Sequence, residues 1–379
     1  MRRFVSDKMV MVQSDMSRTP VNGQIMGTVG EKKPNAQTPE TVPQRYDNTT
    51  LSTIIRFHKK ERMPFLEEAL FSLAIQDWHD IEPIIVLQNG TEELRDTVAG
   101  IIDRQPWAKA PRHKILSISI PAGMDGRSTL MNYGIKSATG RYLSFLDDDD
   151  VVYQRGYATL IKQLIESGRP VAVGGCRTAL AQNHNTHWFI QAKEMPYTSW
   201  GSTRLDLFRQ NFVPIHSYVI DRSRIGEFEL RFDDAFPPLE DYDFLLRLCA
   251  VFEPDFSQLG TPVCEYRIRL DGSNSIPYSP NASPAAVAAV ERARQLIIER
   301  KKEITCLITI SEAAEFSTLL AERDQLPFVL ARHVSRFLRQ TRAKTGTFVY
   351  RYPWLRTALG RTSRLLLGSK VDKLRNQRF

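Results

Sequence analysis

Short apolar runs alternate with amphipathic segments through the first half of the chain. The apolar runs have the length of strands and cover residues 51–57, 81–87, 114–120, 142–146 and 170–175. Between them, apolar residues at helical spacing predict helices over residues 63–76, 91–104, 127–137 and 153–167. This alternation predicts an α/β fold with a mostly parallel sheet and right-handed crossovers. In such sheets, ligands bind beyond the carboxyl ends of the strands.

The pattern changes on both sides of this region. Residues 1–48 are polar and lack sustained periodicity, which predicts a mostly disordered leader before a body at 49–280. Residues 176–213, which include Trp188, mix polar and apolar positions, and we expect loops there that cover a site and contact a variable substrate. Helical spacing returns at 285–302 and 311–323, so residues 281–379 are predicted to form a helical, basic C-terminal extension.

Positive charge is concentrated in that extension. The chain has 379 residues, 42% of them hydrophobic, and a net charge of +8. Residues 331–379 contain 13 Lys or Arg and one acidic residue, so they carry +12 and residues 1–330 carry −4. Apolar residues interrupt these charges, as in helices that lie on an anionic membrane surface. The alternatives are a basic tail that is packed or solvated, and nucleic-acid binding, although no recognised nucleic-acid motif is present.

Cysteine usage and hydropathy indicate the compartment. Cys176, Cys249, Cys264 and Cys306 show no CxxC pair and no metal-ligand spacing, which favours reduced thiols and argues against zinc. The N-terminus has no apolar segment of signal-peptide length, and no run near 18 apolar residues occurs. We therefore expect a cytoplasmic protein that does not span a membrane.

Four consecutive aspartates occupy positions 147–150, where the strand at 142–146 ends. Adjacent carboxylates repel each other, and partial burial would raise their pKa unless they share a cation. If the backbone stays extended, Asp147 and Asp149 point one way while Asp148 and Asp150 point the other. One such pair can hold Mg²⁺ or Mn²⁺, which prefer oxygen ligands. A solvated acidic turn or a helix N-terminus is the alternative.

A second carboxylate pair, Glu240 and Asp241, opens a predicted helix. Asp241 shares a helical stripe with Leu245 and Leu248, so its side chain is expected to face inward. The helix dipole keeps such a carboxylate ionised while it is partly dehydrated, which suits a general base for a hydroxyl group. A simple helix-capping acid is the alternative.

Taken in order, these features resemble the inverting family 2 glycosyltransferases of the GT-A fold over about residues 51–275. The resembling segments are Ser-Thr-Ile-Ile-Arg at 52–56, Leu-Glu-Glu-Ala-Leu-Phe-Ser-Leu at 66–73, Asn-Tyr-Gly-Ile at 132–135, residues 138–150 and the Glu240–Asp241 pair. The resemblance implies a Rossmann-like GT-A domain that binds a nucleotide-diphosphate sugar with a divalent metal, Mn²⁺ or Mg²⁺. It also implies transfer of a sugar with inversion of configuration.

The resemblance assigns roles to individual residues. Asp147 and Asp149 would hold the metal with Asp150 close by, and Asp241 would be the catalytic base. The implied nucleotide-sugar contacts are Arg56, Gln88, Asn89, Arg127, Asp147 and Asp148. The implied acceptor-side residues are Glu240, His216 and Trp188. For Arg56 and Arg127 a purely structural role is the alternative. His216 follows a strand-like run at 212–215, and packing next to that strand is its alternative.

Several positions depart from the family pattern. Gln88 and Asn89 stand where many relatives carry aspartates that bind the nucleoside, so the preferred nucleotide stays open. Met131 replaces a common arginine, and residues 266–269 lack the histidine that often completes the metal site. The Gln-x-x-Arg-Trp signature of processive synthases is also missing, which favours transfer of a single sugar.

The sequence therefore predicts a metal-dependent transferase that adds one sugar to a hydroxyl of a glycan or lipid-linked acceptor in surface polysaccharide synthesis of the cell envelope. Its tail would make peripheral contact with the inner face of the cytoplasmic membrane. Two other classes stay open: a catalytically silent module that binds sugar nucleotides, and a protein associated with nucleic acid through its tail.

Overall fold

The computed structural model describes residues 10–11, 47–184, 187–194, 201–226, 228–236, 238–269 and 284–314. The helices of this part are α1 (Met63–Ala74), α2 (Glu92–Asp103), α3 (Arg127–Ser137), α4 (Gly156–Ser167), α5 (Arg204–Arg209), α6 (Glu240–Val251) and α7 (Pro284–Glu303). The strands are β1 (Val10–Met11), β2 (Asp47–Phe57), β3 (Ile81–Gln88), β4 (Lys114–Ile118), β5 (Gly140–Asp147), β6 (Val151–Val152), β7 (Val171–His184), β8 (His187–Glu194), β9 (Tyr218–Asp221), β10 (Asp255–Arg269) and β11 (Leu307–Ile308). Short 3-10 turns cover Lys60–Arg62, Ile215–Ser217 and Arg222–Arg224.

Nine of the described strands form one mixed sheet in the order β4-β3-β2-β5-β9-β7-β10-β6, with β8 paired to β7. β4, β3, β2 and β5 are parallel neighbours, and so are β7 and β10. Between these groups, β9 runs antiparallel to both β5 and β7. Because β2, β3 and β5 are parallel, their carboxyl ends lie at the same edge of the sheet.

The sheet separates two apolar clusters. Residues of β2 alternate between them, with Leu51 and Ile55 on one side and Ile54 on the other. The side of Leu51 is covered by α1, α2 and α4, and the side of Ile54 by α3 and α6. The same alternation carries Arg56, near the end of β2, to the side that α3 and α6 cover.

The predicted α/β class is confirmed, and so is every strand and helix predicted between residues 51 and 175, with ends that differ by a few residues. The strand predicted at 170–175 is the start of β7, which continues to His184. The predicted helix opening at Glu240 is α6, and the helix predicted at 285–302 is α7. The parallel and antiparallel groups give the mostly parallel, helix-flanked sheet that the GT-A resemblance implies.

Two expectations about secondary structure are wrong. Residues 176–213 are not all loops, because the β7–β8 hairpin and α5 lie there. The pairing of β7 with β10 joins segments far apart in the chain, and such pairing leaves little local pattern. The strand-like run at 212–215 is also not a strand, since Pro214 lacks an N–H and instead caps the 3-10 turn Ile215–Ser217.

The last described helix, α7, packs on the body through buried Val290, Ala293 and Ile297. Near its end, Arg300 donates to Asp233 and lies 2.9 Å (Nε to Oδ1) from Asp243 of α6. None of the described helices has the length and apolar character that crossing a bilayer requires. The leader outside β1, most of the helix predicted at 311–323 and the basic tail lie outside the described residues, and the boundaries at 48 and 280 stay predictions.

Candidate active site

The carboxyl ends of β2, β3 and β5 open onto a cavity of about 640 Å³. The N-termini of α3 and α6 and the end of β10 complete its wall. Its charged and histidine lining residues are Arg56, His58, Lys59, Glu61, Arg62, Asp125, Arg127, Asp147, Asp148, Asp149, His216, Glu240, Asp241, Arg267 and Arg269. A cavity with so many opposed charges suits a ligand that is itself polar and charged.

Arg56 links two of the walls. It lies beside Asp147 in the β2–β5 register, and its Nε donates to Asp147 Oδ1 at 3.0 Å. Its Nη1 donates to Glu240 Oε1 of α6 at 2.5 Å. Burial opposes the ionisation of Asp147, but the positive charges around it, first Arg56 and then His216, Arg62 and Arg127, together outweigh burial and hold the pKa of that carboxyl below its ordinary value. Asp147 is therefore a carboxylate at neutral pH.

The four aspartates form a turn, because β5 ends at Asp147 and the chain bends before β6. Asp150 N donates to Asp147 O at 3.2 Å and closes that turn. The alternation of side chains predicted for an extended backbone is therefore wrong beyond Asp147. Asp147, Asp148 and Asp149 all line the cavity, whereas Asp150 is buried and does not line it.

Two arginines from opposite sides of the cavity neutralise the middle of the turn. Arg62 grips Asp148 with both ends of its guanidinium fork, Nε to Oδ2 at 2.7 Å and Nη2 to Oδ1 at 2.5 Å. Its Nη2 also lies 3.1 Å from Asp149 Oδ2, to which Arg269 of β10 donates as well. Burial, together with the neighbouring aspartates, still raises the pKa of Asp148 to about 6. Burial and the charge of Arg62 lower the pKa of His58 to about 4, so His58 is neutral.

Asp150 contacts the backbone of β10 and the ring of His216. Its Oδ1 accepts the backbone N–H of Arg267 at 2.7 Å, and its Oδ2 lies 3.3 Å from His216 Nδ1. The ring of His216 stacks on Tyr266 with centroids 6.1 Å apart. Because its carboxylate is occupied in this way, the structure gives Asp150 a supporting position beneath the turn.

The N-terminus of α6 presents the second carboxylate pair. Leu239 adopts a left-handed conformation with φ of 74°, and the helix begins directly after it. Glu240 is buried against Arg56, whereas Asp241 is partly exposed to the cavity. Burial and the adjacent Glu240 raise the pKa of Asp241 to about 7. A carboxylate with that pKa at a cavity wall can accept a proton near neutral pH.

The cavity collects most of the residues predicted from the sequence. They are Arg56, Gln88, Arg127, Asp147, Asp148, Asp149, His216, Glu240 and Asp241. Arg127 at the start of α3 pairs with Asp125 at 2.6 Å and lies 3.7 Å from Glu240. These side chains come from β2, β3, α3, the end of β5, the 3-10 turn Ile215–Ser217 and α6, so their meeting is a consequence of the tertiary fold.

Asn89 and Asp150 do not line the cavity. Asn89 has φ of 54°, and its amide exchanges hydrogen bonds with the backbone of Ile120, at 2.7 and 3.2 Å. This side chain therefore fixes the loop after β4, and its nucleotide contact stays a prediction. Trp188 lies in β8, and its side chain is outside the described residues.

Sequence reasoning missed the arginines that neutralise the aspartates. Arg62 belongs to a charged run, residues 58–62, directly after the first predicted strand, and this position should have suggested a role at the carboxyl edge. Arg269, which pairs with Asp149, is the last residue of β10. Nothing local indicated that β10 would end beside the aspartate turn.

Comparison with known protein families gives a match over the part of the chain that contains Arg56 and the aspartate turn. Residues 52–223 match the family model described as glycosyl transferase family 2. The uncharacterized glycosyltransferase YibD of Escherichia coli is 30% identical over 101 residues, which cover 27% of each chain. The uncharacterized glycosyltransferase EpsJ of Bacillus subtilis is 34% identical over 113 residues, 30% of each chain.

A further relative is the GalNAc(5)-diNAcBac-PP-undecaprenol beta-1,3-glucosyltransferase of Campylobacter jejuni, 28% identical over 115 residues, 30% of this chain and 35% of that protein. The chain thus spans about a third of the length of the curated relatives it matches. Among solved structures, S. aureus TarS 1-349 in complex with UDP-GlcNAc has a TM-score of 0.46 and 14% identity, covering 66% of each chain.

The Arg56 pairing leads to a stability prediction. Arg56→Met should lower the free energy of unfolding by about 3–5 kcal/mol at neutral pH, because it leaves the buried carboxylates of Asp147 and Glu240 without their main cation. Urea unfolding measures this loss. The pKa of Asp147 is lowered in the folded protein, so the pairing stabilises fully above the unfolded-state pKa of about 3.9, and the loss should shrink only as pH falls below that value toward the lower pKa of the folded protein.

The matched control is Lys60→Met, which removes an exposed 2.9 Å ion pair with Glu93. That change should stay within about 0.5 kcal/mol of the wild type. Equal stability of Arg56→Met and Lys60→Met at neutral pH would show that the Arg56 bridge contributes nothing.

Proposed function

We propose that this protein is an enzyme that moves one sugar from a nucleotide-diphosphate sugar to an acceptor hydroxyl, and the match of residues 52–223 to the glycosyl transferase family 2 model supports this. The observation that carries the proposal is the position of Asp241. It reaches the cavity from the N-terminus of α6, opposite the aspartate turn and between walls that supply arginines. An acid–base group facing a cationic and carboxylate-rich site is what this transfer requires.

The donor set of the turn fits a divalent cation. Asp147 is ionised, and Asp149 offers a second carboxylate at the cavity, both hard oxygen donors of the kind that Mg²⁺ and Mn²⁺ prefer. Arginines pair with these carboxylates, because clustered negative charges are stable only with positive charge nearby. We propose that Asp147 and Asp149 hold the ion, with Asp150 supporting the turn from below. When bound, such an ion neutralises charge on a diphosphate.

The chain's own residues perform the remaining steps. Arg56, Arg62, Arg127 and Arg269 line the cavity as permanent cations that bind the diphosphate and stabilise the charge that develops as it departs. Gln88 offers a neutral amide to the nucleoside. Asp241 removes the proton of the acceptor hydroxyl as that oxygen attacks the anomeric carbon from the opposite face, so configuration inverts. Glu240, fixed by Arg56, positions the base.

The acceptor is proposed from the relatives. The Campylobacter jejuni protein is named for transfer to an undecaprenol-diphosphate-linked glycan, which supports a lipid-linked or glycan acceptor in surface polysaccharide synthesis. His216 is among the residues that line the cavity, and we assign it to the acceptor side on the family resemblance. We assign Trp188 to the same side on its position in the sequence alone.

Asp241→Asn tests the catalytic assignment. The rate of sugar transfer should fall about 10²–10⁴-fold, because the amide cannot accept the proton, while binding of the nucleotide sugar is retained. In the wild type, kcat/KM should fall about tenfold per pH unit below about 7, where Asp241 becomes protonated. Asp103→Asn, an exposed change at the end of α2, should keep the full rate. Full turnover in Asp241→Asn would refute the assignment.

Thermal unfolding with nucleotides tests the donor and the metal. A nucleotide sugar at one hundred times its Kd should stabilise the protein by about 2.7 kcal/mol. With Mn²⁺ or Mg²⁺ this shift should exceed the shift in chelator, and Asp149→Asn should remove the metal-dependent part while Asp103→Asn retains it. A shift without turnover in any acceptor assay would favour the silent binding module. The neutral Asn89 and the pairing of the turn carboxylates with arginines support that alternative.

We also propose that the basic tail contacts an anionic membrane surface, where a lipid-linked acceptor would be found. The charge of +12 over residues 331–379 supports this. The full chain should co-sediment with vesicles containing anionic lipid and dissociate as salt rises, whereas a chain ending at Gln325 should stay in solution. Equal binding of both chains would rule out the tail as the membrane contact.

A further inference from the structure

Beneath the aspartate turn, three buried side chains with metal-ligating atoms come together. Cys176 of β7 lies directly opposite Cys264 of β10 in the parallel register, and His216 reaches them from the 3-10 turn before β9. Their ligating atoms lie within 4.8 Å of one another, and each residue is about 1% exposed or less. The cysteines are 88 residues apart in the sequence, so no local motif predicted the cluster.

We propose that Cys176, Cys264 and His216 form a binding site for a single thiophilic divalent ion, best matched by zinc. Zinc ligands at about 2.3 Å (sulfur) and 2.0–2.1 Å (nitrogen) in tetrahedral geometry are roughly 3.6 Å apart. Cys176 Sγ and His216 Nε2 are 3.8 Å apart. Two thiolates and an imidazole select zinc-like ions over Mg²⁺ and Mn²⁺, so this site is chemically distinct from the aspartate turn above it.

A carboxylate behind the histidine completes the arrangement. His216 Nδ1 lies 3.3 Å from Asp150 Oδ2, so an ion bound at Nε2 would leave the ring proton on Nδ1, facing that carboxylate. Nε2 then carries the lone pair and points toward Cys176. Metal-binding histidines in proteins commonly have such a carboxylate on the other nitrogen, because it fixes the tautomer and strengthens the ligand. The three protein ligands leave one position of a tetrahedral ion for water.

Bound metal would connect elements that local sequence does not connect. β7 and β10 are paired strands, His216 precedes β9, and Asp150 is the last residue of the aspartate turn. Through His216, the ion would therefore hold Asp150, and with it the aspartate turn, in a fixed position beneath the cavity. This inference does not depend on the transferase proposal, since it concerns a separate set of ligands.

The test uses the full chain, reduced and freed of metal with a chelator that is then removed. Titration with Cd²⁺ should produce the ultraviolet absorption of cadmium–thiolate bonds, saturating at one ion per chain, and Zn²⁺ should compete for the same site. The thermal midpoint should rise with Zn²⁺. Neither measurement needs a variant, so the outcome does not depend on whether substituted chains fold.

Variants then assign the ligands. Cys176→Ser and Cys264→Ser should each lose most of the absorption, whereas Cys306→Ser, which removes a thiol outside the cluster, should keep it. Asp149→Asn should also keep it, which separates this site from the carboxylates of the cavity.

Three results would overturn the proposal. One is the absence of the absorption although four reduced thiols are counted, which would leave the cluster as a thiol hydrogen-bonded to His216. Another is absorption that persists in Cys264→Ser. The third is a Cys176–Cys264 disulfide in protein purified with reductant.

Discussion

Neutralisation of buried carboxylates at one edge of the sheet is the constraint on which the site depends. Parallel pairing brings the ends of β2 and β5 together, so Asp147 must lie beside the β2 residue that stands opposite it in the register. That residue is Arg56, which also holds Glu240 of α6. Without a cation at this position, two carboxylates would be buried close together at a high electrostatic cost. The bridge therefore fixes α6 against the sheet and, with it, the position of Asp241.

The same electrostatics separate the carboxylates into different roles. Asp147, beside Arg56, has a lowered pKa and stays ionised. Asp241 has no such partner at equal distance, and burial beside Glu240 raises its pKa to about 7. One carboxylate is thereby kept charged for a cation, and the other is poised to gain a proton. Environments that push the pKa values of neighbouring acids apart are typical of sites that carry out acid–base chemistry.

Sequence patterns predicted what depends on local periodicity and missed what depends on distant pairing. The alternation of apolar and amphipathic segments was sufficient to predict the strands and helices up to residue 175, because each of these elements buries one apolar face beside its sequence neighbour. It placed Asp147 and Asp241 in one site through the resemblance and the carboxyl-edge rule. It could not anticipate the turn at 148–150, since a run of aspartates looks the same in a strand and a turn. Nor could it place Arg269 or join Cys176 to Cys264, because both depend on β10 entering the sheet.

Asp150 connects the two clusters of this edge and shows why the fourth aspartate is not redundant. It does not line the cavity. One of its carboxylate oxygens accepts a backbone N–H of β10, and the other faces His216. The Asp150 N–H closes the turn at 147–150, so the backbone that carries Asp147 and the carboxylate that faces His216 belong to one hydrogen-bonded turn. The fourth aspartate therefore joins the wall of the cavity to the cluster of Cys176, Cys264 and His216, whichever ligand occupies the cavity.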